Sequence, residues 1–437
     1  MRELIKRAKN VLNGSYDFEI YFEKTLERTY RVANQKPERV EISSSSGVGV
    51  RVFKDSKVGF AYCDELKDFE ECLRFAKELC DISEPDEAIC VPEGEDLGEL
   101  KGELDSGVFS ESPEGRIEIL ISLEKKALEM DGRIDSVELC ELSETLSEVF
   151  CASSRGLEYF HRGSFFDASI ALVATEDGDS SMAYRALGAR HFRDLELSRM
   201  VSEATQDAIY LLKGVCLSSG IYDVVFSPFA ASQLIEAFEG IFLGDMVLRG
   251  KSALKDLEGQ EVFSELLNLV DWGDMPGGYS TLPVDAEGTK TGKNILIERG
   301  ALKGFLHGLY SARALKRTST GNAYRSSYRA KPESGVSNFF IMQGDTPLEE
   351  MLSGDVILIL ELLGAHTVDE VSGDFSLGFS GIMYRGGKKV SAVRGMTVSG
   401  NIRQVFKNIT LVGNDLCFYL NVGSPSLKVS GLYIGGE

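Results

Sequence analysis

The glycine-rich character of the second half of the chain is the feature that most restricts its fold. The chain of 437 residues contains 45 glycines and only 10 prolines, whereas glycine is usually about 7% of a globular protein. Glycine adopts the left-handed conformations that tight turns between antiparallel strands require. After Gly220, short β-rich segments dominate and no βαβ alternation is visible. The sequence therefore predicts an α+β fold with a large, mainly antiparallel C-terminal β domain.

Two smaller helix–strands–helix units precede this domain. Apolar periodicity predicts the helices at 2–13, 69–79, 113–130 and 195–212. Alternating apolar and polar residues predict the strands at 17–33, 48–53, 58–62, 134–151, 166–175 and 182–191. An acidic segment with few large apolar residues separates the two units and is interpreted as a connector. We expect domains at 1–84, 113–218 and 219–437, with the connector at 85–112.

Charge and hydropathy exclude several classes of protein. The 68 acidic residues outnumber the 47 Lys and Arg residues, which gives a net charge of −21, so the chain as a whole would repel a phosphate backbone. The longest apolar run, Val356–Leu360, is far shorter than the roughly 20 residues of a membrane helix. Residues 1–10 contain no apolar core typical of a signal peptide. We expect a cytoplasmic protein without membrane segments, whose eight cysteines are buried thiols.

The segment 299–331 departs from this acidic average. It contains eight basic residues, no acidic residue, and three tyrosines at 310, 324 and 328. Such a pattern is typical of a nucleic-acid surface, of a groove in which Arg side chains bind peptide carbonyls and a terminal carboxylate, or of an ordinary solvated surface. The sequence leaves the three interpretations open.

Histidine spacing excludes any local zinc motif of the HExxH type. His161, His191, His307 and His366 stand at least 30 residues apart, so no two can project from one helical face. A metal site assembled from distant residues remains open.

A mostly apolar helix predicted at Phe229–Leu243 carries Ser232, Glu236 and Glu239 along one stripe. The stripe is either the solvated edge of a core helix or a row in which Glu236 faces a cavity. Periodicity does not distinguish these two interpretations.

An ordered series of short motifs resembles the TldD/PmbA (TldD/TldE) metallopeptidase family over nearly the whole chain. The motifs lie at 47–53, 58–61, 153–156, 310–313, 319–322, 338–341, 344–346, 373–376, 393–395, 400–401 and 412–415. Within this family, the TldD branch carries a His-Glu-x-x-x-His zinc motif on a helix ahead of a Gly-Asp pair. Aligned from Gly244-Asp245, the two histidine positions hold Ile235 and Gly240, while the glutamate position keeps Glu236.

The resemblance therefore implies the PmbA/TldE branch, which lacks the zinc motif. A family cysteine ligand near the C-terminus is also absent, because Cys417 comes too early to match it. Neither an aliphatic side chain nor a hydrogen atom can bind zinc, and Glu236 without metal-bound water has nothing to activate. We expect no metal or other cofactor in this chain, with zinc held by a partner subunit.

The resemblance also implies a function and a set of site residues. We expect a subunit of a cytoplasmic metallopeptidase that acts on unfolded or extended peptides and depends on a zinc-bearing TldD-like partner, or pairs with itself when alone. The peptide-facing candidates are Arg313, Asn322, Arg325 and Asp374, and Glu236 is a remnant of the catalytic motif. Peptides could bind as added strands through main-chain hydrogen bonds.

Two alternative functions remain. The basic segment 299–331 could serve a DNA- or gyrase-associated modulator, as a historical family name suggests, although the charge of −21 argues against it. His307, His366, a cysteine and Glu236 could also assemble a metal site from separate segments.

Overall fold

The computed structural model describes residues 2–100 and 102–436. Strands make up 43% of the chain and helices 23%, and most neighbouring strands are antiparallel. The predicted α+β class is therefore confirmed. No helix in the described ranges combines the length and the apolar character needed to cross a bilayer.

The first unit packs two helices against three antiparallel strands. In chain order it contains α1 (Arg2–Leu12), β1 (Asp17–Ala33), β2 (Lys36–Lys54), β3 (Lys57–Cys63) and α2 (Phe69–Ile82). Leu4 and Leu12, which share one face of α1, are buried in a core with Leu73 of α2 and Val50 of β2. Helical spacing of apolar residues thus positions both helices on this part of the sheet.

Strand β2 is much longer than the predicted 48–53. It starts at Lys36 and pairs with β1 along nearly its whole length. The missed part includes the serine run Ser43–Ser46, which is exposed and pairs with Lys24–Glu27. Serine gives little strand signal in a sequence, so only the pairing with β1 reveals this strand.

The second unit repeats the helix–strands–helix order. It contains β4 (Asp96–Leu100), α3 (Pro113–Met130), β5 (Ile134–Ser153), β6 (Glu158–Glu176), β7 (Asp179–Ala189) and α4 (Leu197–Tyr210). The side chain of Ser112 accepts a hydrogen bond from the Gly115 N–H, and Pro113 occupies the first turn, as the sequence pattern at this helix start predicts. Helices α3 and α4 bury Leu120 and Met200 against β5 and β6.

The two N-terminal units form one continuous sheet in the order β3-β2-β1-β5-β6-β4, with β7 also paired to β6. Residues 19–31 of β1 pair antiparallel with residues 141–153 of β5. The segment 85–112, expected as a connector, contributes β4, which pairs in parallel with β6. We call this seven-stranded assembly the N-terminal sheet; the expected domain borders themselves remain predictions.

The C-terminal domain is built from short elements that follow Gly220. Its helices are α5 (Pro228–Ala237), α6 (Gly244–Leu248), α7 (Leu309–Ala314), α8 (Leu348–Met351) and α9 (Ile402–Lys407). Its strands are β8 (Gly220–Phe226), β9 (Leu269–Trp272), β10 (Lys293–Glu298), β11 (Ala301–Leu302), β12 (Ala323–Tyr324), β13 (Glu333–Ser334), β14 (Phe339–Ile341), β15 (Val356–Leu363), β16 (Asp374–Arg385), β17 (Lys388–Asn401), β18 (Ile409–Val412), β19 (Cys417–Tyr419), β20 (Val422–Ser424) and β21 (Leu427–Gly435).

Twelve of these strands form two six-stranded sheets around one core, and β12 and β13 pair with each other as a separate two-stranded sheet. One sheet has the order β17-β16-β15-β8-β21-β18, and the other has the order β11-β10-β9-β14-β20-β19. Helix α5 contacts β15 of the first sheet and β20 of the second, and its Leu234 and Ile235 are buried in the shared core. A helix covered on both sides must be largely apolar, which explains its composition.

Helix α5 is shorter than the predicted Phe229–Leu243. It ends at Ala237 and is followed by a 3-10 turn, Glu239–Phe242, before α6 begins. Gly240 lies in this turn, and glycine is a poor residue for continuing a helix. The chain therefore turns at the point where the sequence analysis placed a family metal ligand.

Candidate functional site

A cavity of about 580 Å³ lies between the N-terminal sheet and the C-terminal domain. Phe165 of β6 and Arg190, which directly follows β7, line it from the N-terminal sheet. Glu236, Glu239 and Leu243 line it from α5 and the turn after it. Segments from the loop regions 273–291, 321–324 and 334–337 complete the wall. We call this space the interdomain cavity.

Glu236 lies in the last turn of α5 and lines the interdomain cavity. The helix start is fixed by Ser227, whose side chain accepts a hydrogen bond from the Ala230 N–H at 3.2 Å. The neighbouring Ile235 is 1% exposed and packs in the core, whereas Glu236, about 100° further around the helix, is exposed. Of the two interpretations that periodicity left open, the structure places Glu236 at a cavity.

Several carboxylates around the cavity are easier to protonate than usual. The pKa of Glu239 is raised to about 7, chiefly by burial and then by the carboxylates of Glu236 and Glu370. Burial also raises the pKa of Asp285 to about 7, with a further contribution from Glu287. Although the Glu236 side chain is accessible from the cavity, the surrounding protein displaces water and raises its pKa as well. Glu239 and Asp285 therefore change protonation near neutral pH, and the protonated form of Glu236 is also favoured by burial.

Asn322 lies on the cavity wall, and hydrogen bonds to neighbouring residues fix its side chain. Its side-chain amide donates to Asp271 Oδ2 at 2.7 Å and to the Gly335 carbonyl at 3.1 Å. Its side-chain oxygen accepts from Asn294 at 2.9 Å and from Thr320 at 2.8 Å. The side chain is thus fully engaged, and it supports the shape of the wall.

Buried Asp271 stands behind this wall and connects its segments. It accepts hydrogen bonds from Asn322, from the Ser337 N–H at 2.6 Å and from Ser337 Oγ at 2.8 Å. Burial raises its pKa to about 6, while these donors oppose the rise. Asp271 therefore fixes the loop 334–337 to β9, so that both define one surface.

The residues at the family zinc positions do not fit a zinc ion. Zinc needs nitrogen, sulfur or oxygen donors at about 2 Å, but Ile235 offers only a buried aliphatic side chain. Gly240 has no side chain, and a Cβ atom built there would overlap the carboxylate of Glu370. Neither Ile235 nor Gly240 can therefore act as a zinc ligand.

The alternative metal site assembled from distant residues finds no support in the geometry. His307 Nδ1 lies 3.3 Å from Ser311 Oγ, whereas His366 is exposed on the 3-10 turn Ala365–Thr367. Within residues 2–100 and 102–436, no group of three or more His, Cys, Asp or Glu side chains could hold a metal ion.

Arg325 lies away from any peptide surface, contrary to its predicted place. Its side chain is fully buried, and its guanidinium pairs with Glu19 of β1 at 2.6 Å and lies over the Tyr21 ring. Glu19 also pairs with Arg51 at 2.6 Å. Burial opposes ionisation of Glu19, but the two cations lower its pKa to about 2. Arg325 thus ties the C-terminal domain to β1, and we do not retain it as a peptide contact.

Arg313 and Asp374 lie outside the interdomain cavity. Arg313 is exposed in α7 and lines a separate, smaller surface pocket with Cys90 and Arg155. Asp374 is exposed at the start of β16 and accepts a hydrogen bond from Asn401 at 2.7 Å. Of the predicted site residues, Glu236 and Asn322 share the cavity, whereas Arg313 and Asp374 belong to other surfaces.

The basic segment 299–331 does not form one continuous cationic surface. Four of its basic side chains pair with carboxylates: Lys303 with Glu298, Arg317 with Glu258, Arg325 with Glu19, and Arg329 with Asp64. Tyr328 is also buried, with its hydroxyl donating to Asp64. The geometry therefore gives no support to a nucleic-acid surface on this segment.

The structure adds cavity residues that the sequence did not single out. Arg190 and Asp285 come from segments almost a hundred positions apart and meet only through the packing of the two domains. A single arginine at the end of a strand carries no local signal. The one clue in the sequence was the stripe that placed Glu239 beside Glu236.

Comparison with known sequences gives the family. Models of the PmbA/TldA metallopeptidase match domain 1 at residues 18–82, the central domain at 108–212 and the C-terminal domain at 219–436. Together these matches cover most of the chain. This chain belongs to the PmbA/TldD metallopeptidase family. The family recognised from the ordered motifs is confirmed.

Relatives of the PmbA/TldD family align along the whole chain. Metalloprotease PmbA of Escherichia coli O157:H7 is 26% identical over 444 residues, which cover 100% of this chain and 96% of the relative. A metalloprotease TldD homologue of Buchnera aphidicola from Acyrthosiphon pisum is 25% identical, with 96% and 92% covered. An uncharacterised protein of Methanocaldococcus jannaschii is 28% identical, with 98% and 99% covered.

Solved structures of similar proteins show the same fold. TldE from Thermococcus kodakarensis superposes with a TM-score of 0.89 at 22% identity, with 100% of both chains covered. A Thermotoga maritima protein described as a candidate modulator of a DNA gyrase superposes with a TM-score of 0.91 at 24% identity, with 99% of this chain and 100% of that chain covered. The PmbA/TldD fold therefore extends over the whole described chain.

Proposed function

We propose that this chain is a PmbA/TldE-type subunit of a cytoplasmic metallopeptidase, that it holds no zinc of its own, and that it acts with a zinc-bearing TldD-like partner. The two subunits form a heterodimer, and the isolated chain pairs with itself. The substrates are unfolded or extended peptides. Proteolysis then depends on the partner's metal, while this chain helps to enclose and hold the peptide.

The main support for this proposal is that Ile235 and Gly240 stand at the two positions, on either side of Glu236, that align with the family's histidines. Ile235 belongs to the core, and the space beside Gly240 is taken by Glu370. Glu236 keeps its place on the cavity wall, although a carboxylate without metal-bound water cannot act as the base of a metallopeptidase. The cavity surface is thus retained while the metal ligands are absent.

Peptide binding is supported by the shape and polarity of the same surface. A cavity of about 580 Å³ falls in the range of about 300–1,000 Å³ that is typical of ligand sites. Its wall is kept open by the Asn322–Asp271 pair. Arg313 and Asp374 remain candidate contacts for parts of a longer peptide outside the cavity.

Metal content tests the first part of the proposal. The chain is purified without chelators after growth in zinc-supplemented medium, and its zinc content is measured by mass spectrometry. We expect far less than one ion per chain. One tightly bound zinc ion per chain would overturn the proposal.

Reconstitution tests the second part. The chain is co-expressed with a TldD-like relative that carries the intact His-Glu-x-x-x-His motif, and hydrolysis of an unfolded polypeptide is compared for each chain alone and for the mixture. We expect a stable mixed complex and activity that requires both chains. The matched control is the same mixture with one partner histidine replaced by alanine, which should be inactive. Full activity of the partner alone, or failure to form a complex, would contradict the proposal.

A further inference from the structure

Arg190 is a buried cation without an ion pair in the part of the chain that the structure describes, although the Glu103 carboxylate favours its charge from beyond pairing distance. Its residue is 2% exposed, and its guanidinium lies 4.1 Å from the ring centre of Phe165. It donates to the Tyr279 carbonyl at 3.2 Å and to the Glu103 carbonyl at 3.1 Å, while its Nε finds no acceptor. The carboxylate of Glu103 is engaged by His191 at 3.1 Å. Arg190 therefore has donors to spare on the wall of the interdomain cavity.

The other buried arginines show how unusual this arrangement is. In the described ranges, each of them contacts a carboxylate: Arg51 with Glu19, Arg116 with Glu144, Arg185 with Asp207, and Arg325 with Glu19. No such ion pair is found for Arg190 among residues 2–100 and 102–436. A buried charge without an opposite charge is costly to a folded protein. The contrast indicates that the missing anion comes from a ligand.

The charge of Arg190 persists despite its burial. Desolvation lowers its pKa to about 10, which still leaves the guanidinium protonated at neutral pH. A planar guanidinium binds a carboxylate with two parallel hydrogen bonds. A carboxylate therefore fits this wall, as would other planar or tetrahedral oxyanions.

Glu236 and Glu239 line the same cavity from the C-terminal domain. No cationic side chain contributes to the pKa of either group, and both pKa values are raised. A bound ammonium group would lower both pKa values and supply the absent positive charge. The cavity thus offers a cation on one wall and two carboxylates on another.

We propose that the interdomain cavity binds a short peptide by both of its termini. The terminal carboxylate binds Arg190, and the terminal ammonium group binds between Glu236 and Glu239. This inference rests on the proposed peptide-binding function. It adds that this chain binds the terminal carboxylate and the terminal ammonium group of the peptide. It requires neither zinc nor a partner subunit, so it is tested on the isolated chain.

The experiment compares alanine peptides that differ only at their ends. Tri-, tetra- and penta-alanine are each titrated as the free peptide, the C-terminal amide and the N-acetylated form. Binding is measured by calorimetry near pH 7.5, which lies above the pKa of about 7 of Glu239 and below the roughly 7.7–8.0 of a terminal ammonium group. We expect at least one length to bind and each blocked form to bind about tenfold more weakly or worse. Amides that bind as tightly as free peptides, N-acetylation without effect, or no binding of any free peptide would overturn the inference.

A pair of variants locates the carboxylate contact. Arg190→Gln should remove the difference between the free peptide and its amide. Arg162→Gln, in the neighbouring strand β6 but exposed and paired with Glu148 at 2.8 Å, should keep the difference. Persistence of the difference in folded Arg190→Gln would also overturn the inference. If Arg190→Gln does not fold, the inference is still tested by titrating the unchanged chain with free and blocked peptides. The zinc measurement and the reconstitution test the proposed function separately.

Discussion

The carboxylate of Glu370 occupies the space beside the α-carbon of Gly240 into which any side chain at that position would project. The motif comparison aligns Gly240 with a histidine of the zinc-bearing branch, and this alignment is a prediction. A side chain at this position requires the Glu370 carboxylate to move.

Gly240→Ala should lower the free energy of unfolding by at most about 1 kcal/mol, because the atoms that a Cβ would meet lie at the end of the flexible, partly exposed Glu370 side chain. The added methyl group overlaps the Glu370 carboxylate, which must move. Chemical denaturation measures the loss. Gly354→Ala is the matched control, because a Cβ atom there meets no heavy atom within 4 Å.

The coupling between these two positions can be measured in a double-mutant cycle. Glu370→Ala should recover most of the stability lost in Gly240→Ala, since it removes the overlapping atoms. Additive effects of the two substitutions would show that the overlap is not the cause of the loss.

Glu239 should make the protein less stable as the pH rises. Its pKa of about 7 in the folded protein lies above the ordinary glutamate value of 4.5. Between about pH 4.5 and 7, Glu239 keeps its proton in the folded protein but has lost it in the unfolded chain. The free energy of unfolding therefore falls as the pH rises through this range. Glu239→Gln should therefore flatten the stability curve there and gain at most about 3 kcal/mol at pH 8.

Denaturation at a series of pH values measures this difference. The control is Glu349→Gln, which removes one charge at an exposed position on α8 and should leave the slope unchanged. An identical pH slope in Glu239→Gln and in the unchanged protein would refute the assignment.

Arg325→Ala should destabilise the protein by about 3–5 kcal/mol, the usual effect of breaking a buried ion pair. The substitution leaves Glu19 buried with only Arg51 beside it. Arg329→Ala, which breaks the exposed pair with Asp64 at 3.0 Å, should change stability little. Thermal or chemical unfolding compares the two, and a stable Arg325→Ala variant with weakened peptide binding would instead favour the role first predicted for this residue.

Glu236→Gln tests whether, in the assembled complex, the partner carries out catalysis and this chain binds the peptide. Because Glu236 faces a cavity without metal ligands, kcat should stay within about twofold while KM rises. Replacement of the matching glutamate in the zinc-bearing partner should lower kcat by about 10²–10⁴-fold. Steady-state peptide hydrolysis distinguishes the two, and an equal loss of kcat in both would place catalysis in this chain as well.

The regular elements of this fold were predictable because their signals are local. The apolar period of α1 and the Ser112-Pro113 start of α3 each specify a helix within a few residues. Strand Lys36–Lys54 was only partly predictable, since the serines in it give no apolar alternation. The strand Asp96–Leu100 was missed because it depends on pairing with β6.

The candidate site was predictable only where a motif marked it. Glu236 followed from its place ahead of Gly244-Asp245, and Asn322 from the motif at 319–322. Arg190 lies on the cavity wall because the N-terminal sheet packs against the C-terminal domain, and this packing has no local signature. The sequence placed Arg325 on the peptide-facing surface, but its side chain is buried. A run of basic residues does not reveal which of them is buried.

Strand β1, which pairs with β2 of the first unit and with β5 of the second, limits how the two halves of the molecule can move. Its Glu19 carboxylate is bound by Arg325, and Arg51 of β2 pairs with Glu287 at 2.9 Å. A hinge motion of the two halves would have to separate these desolvated charges. Access to the interdomain cavity is therefore expected to depend on movement of its wall loops, such as 334–337, rather than on separation of the two halves.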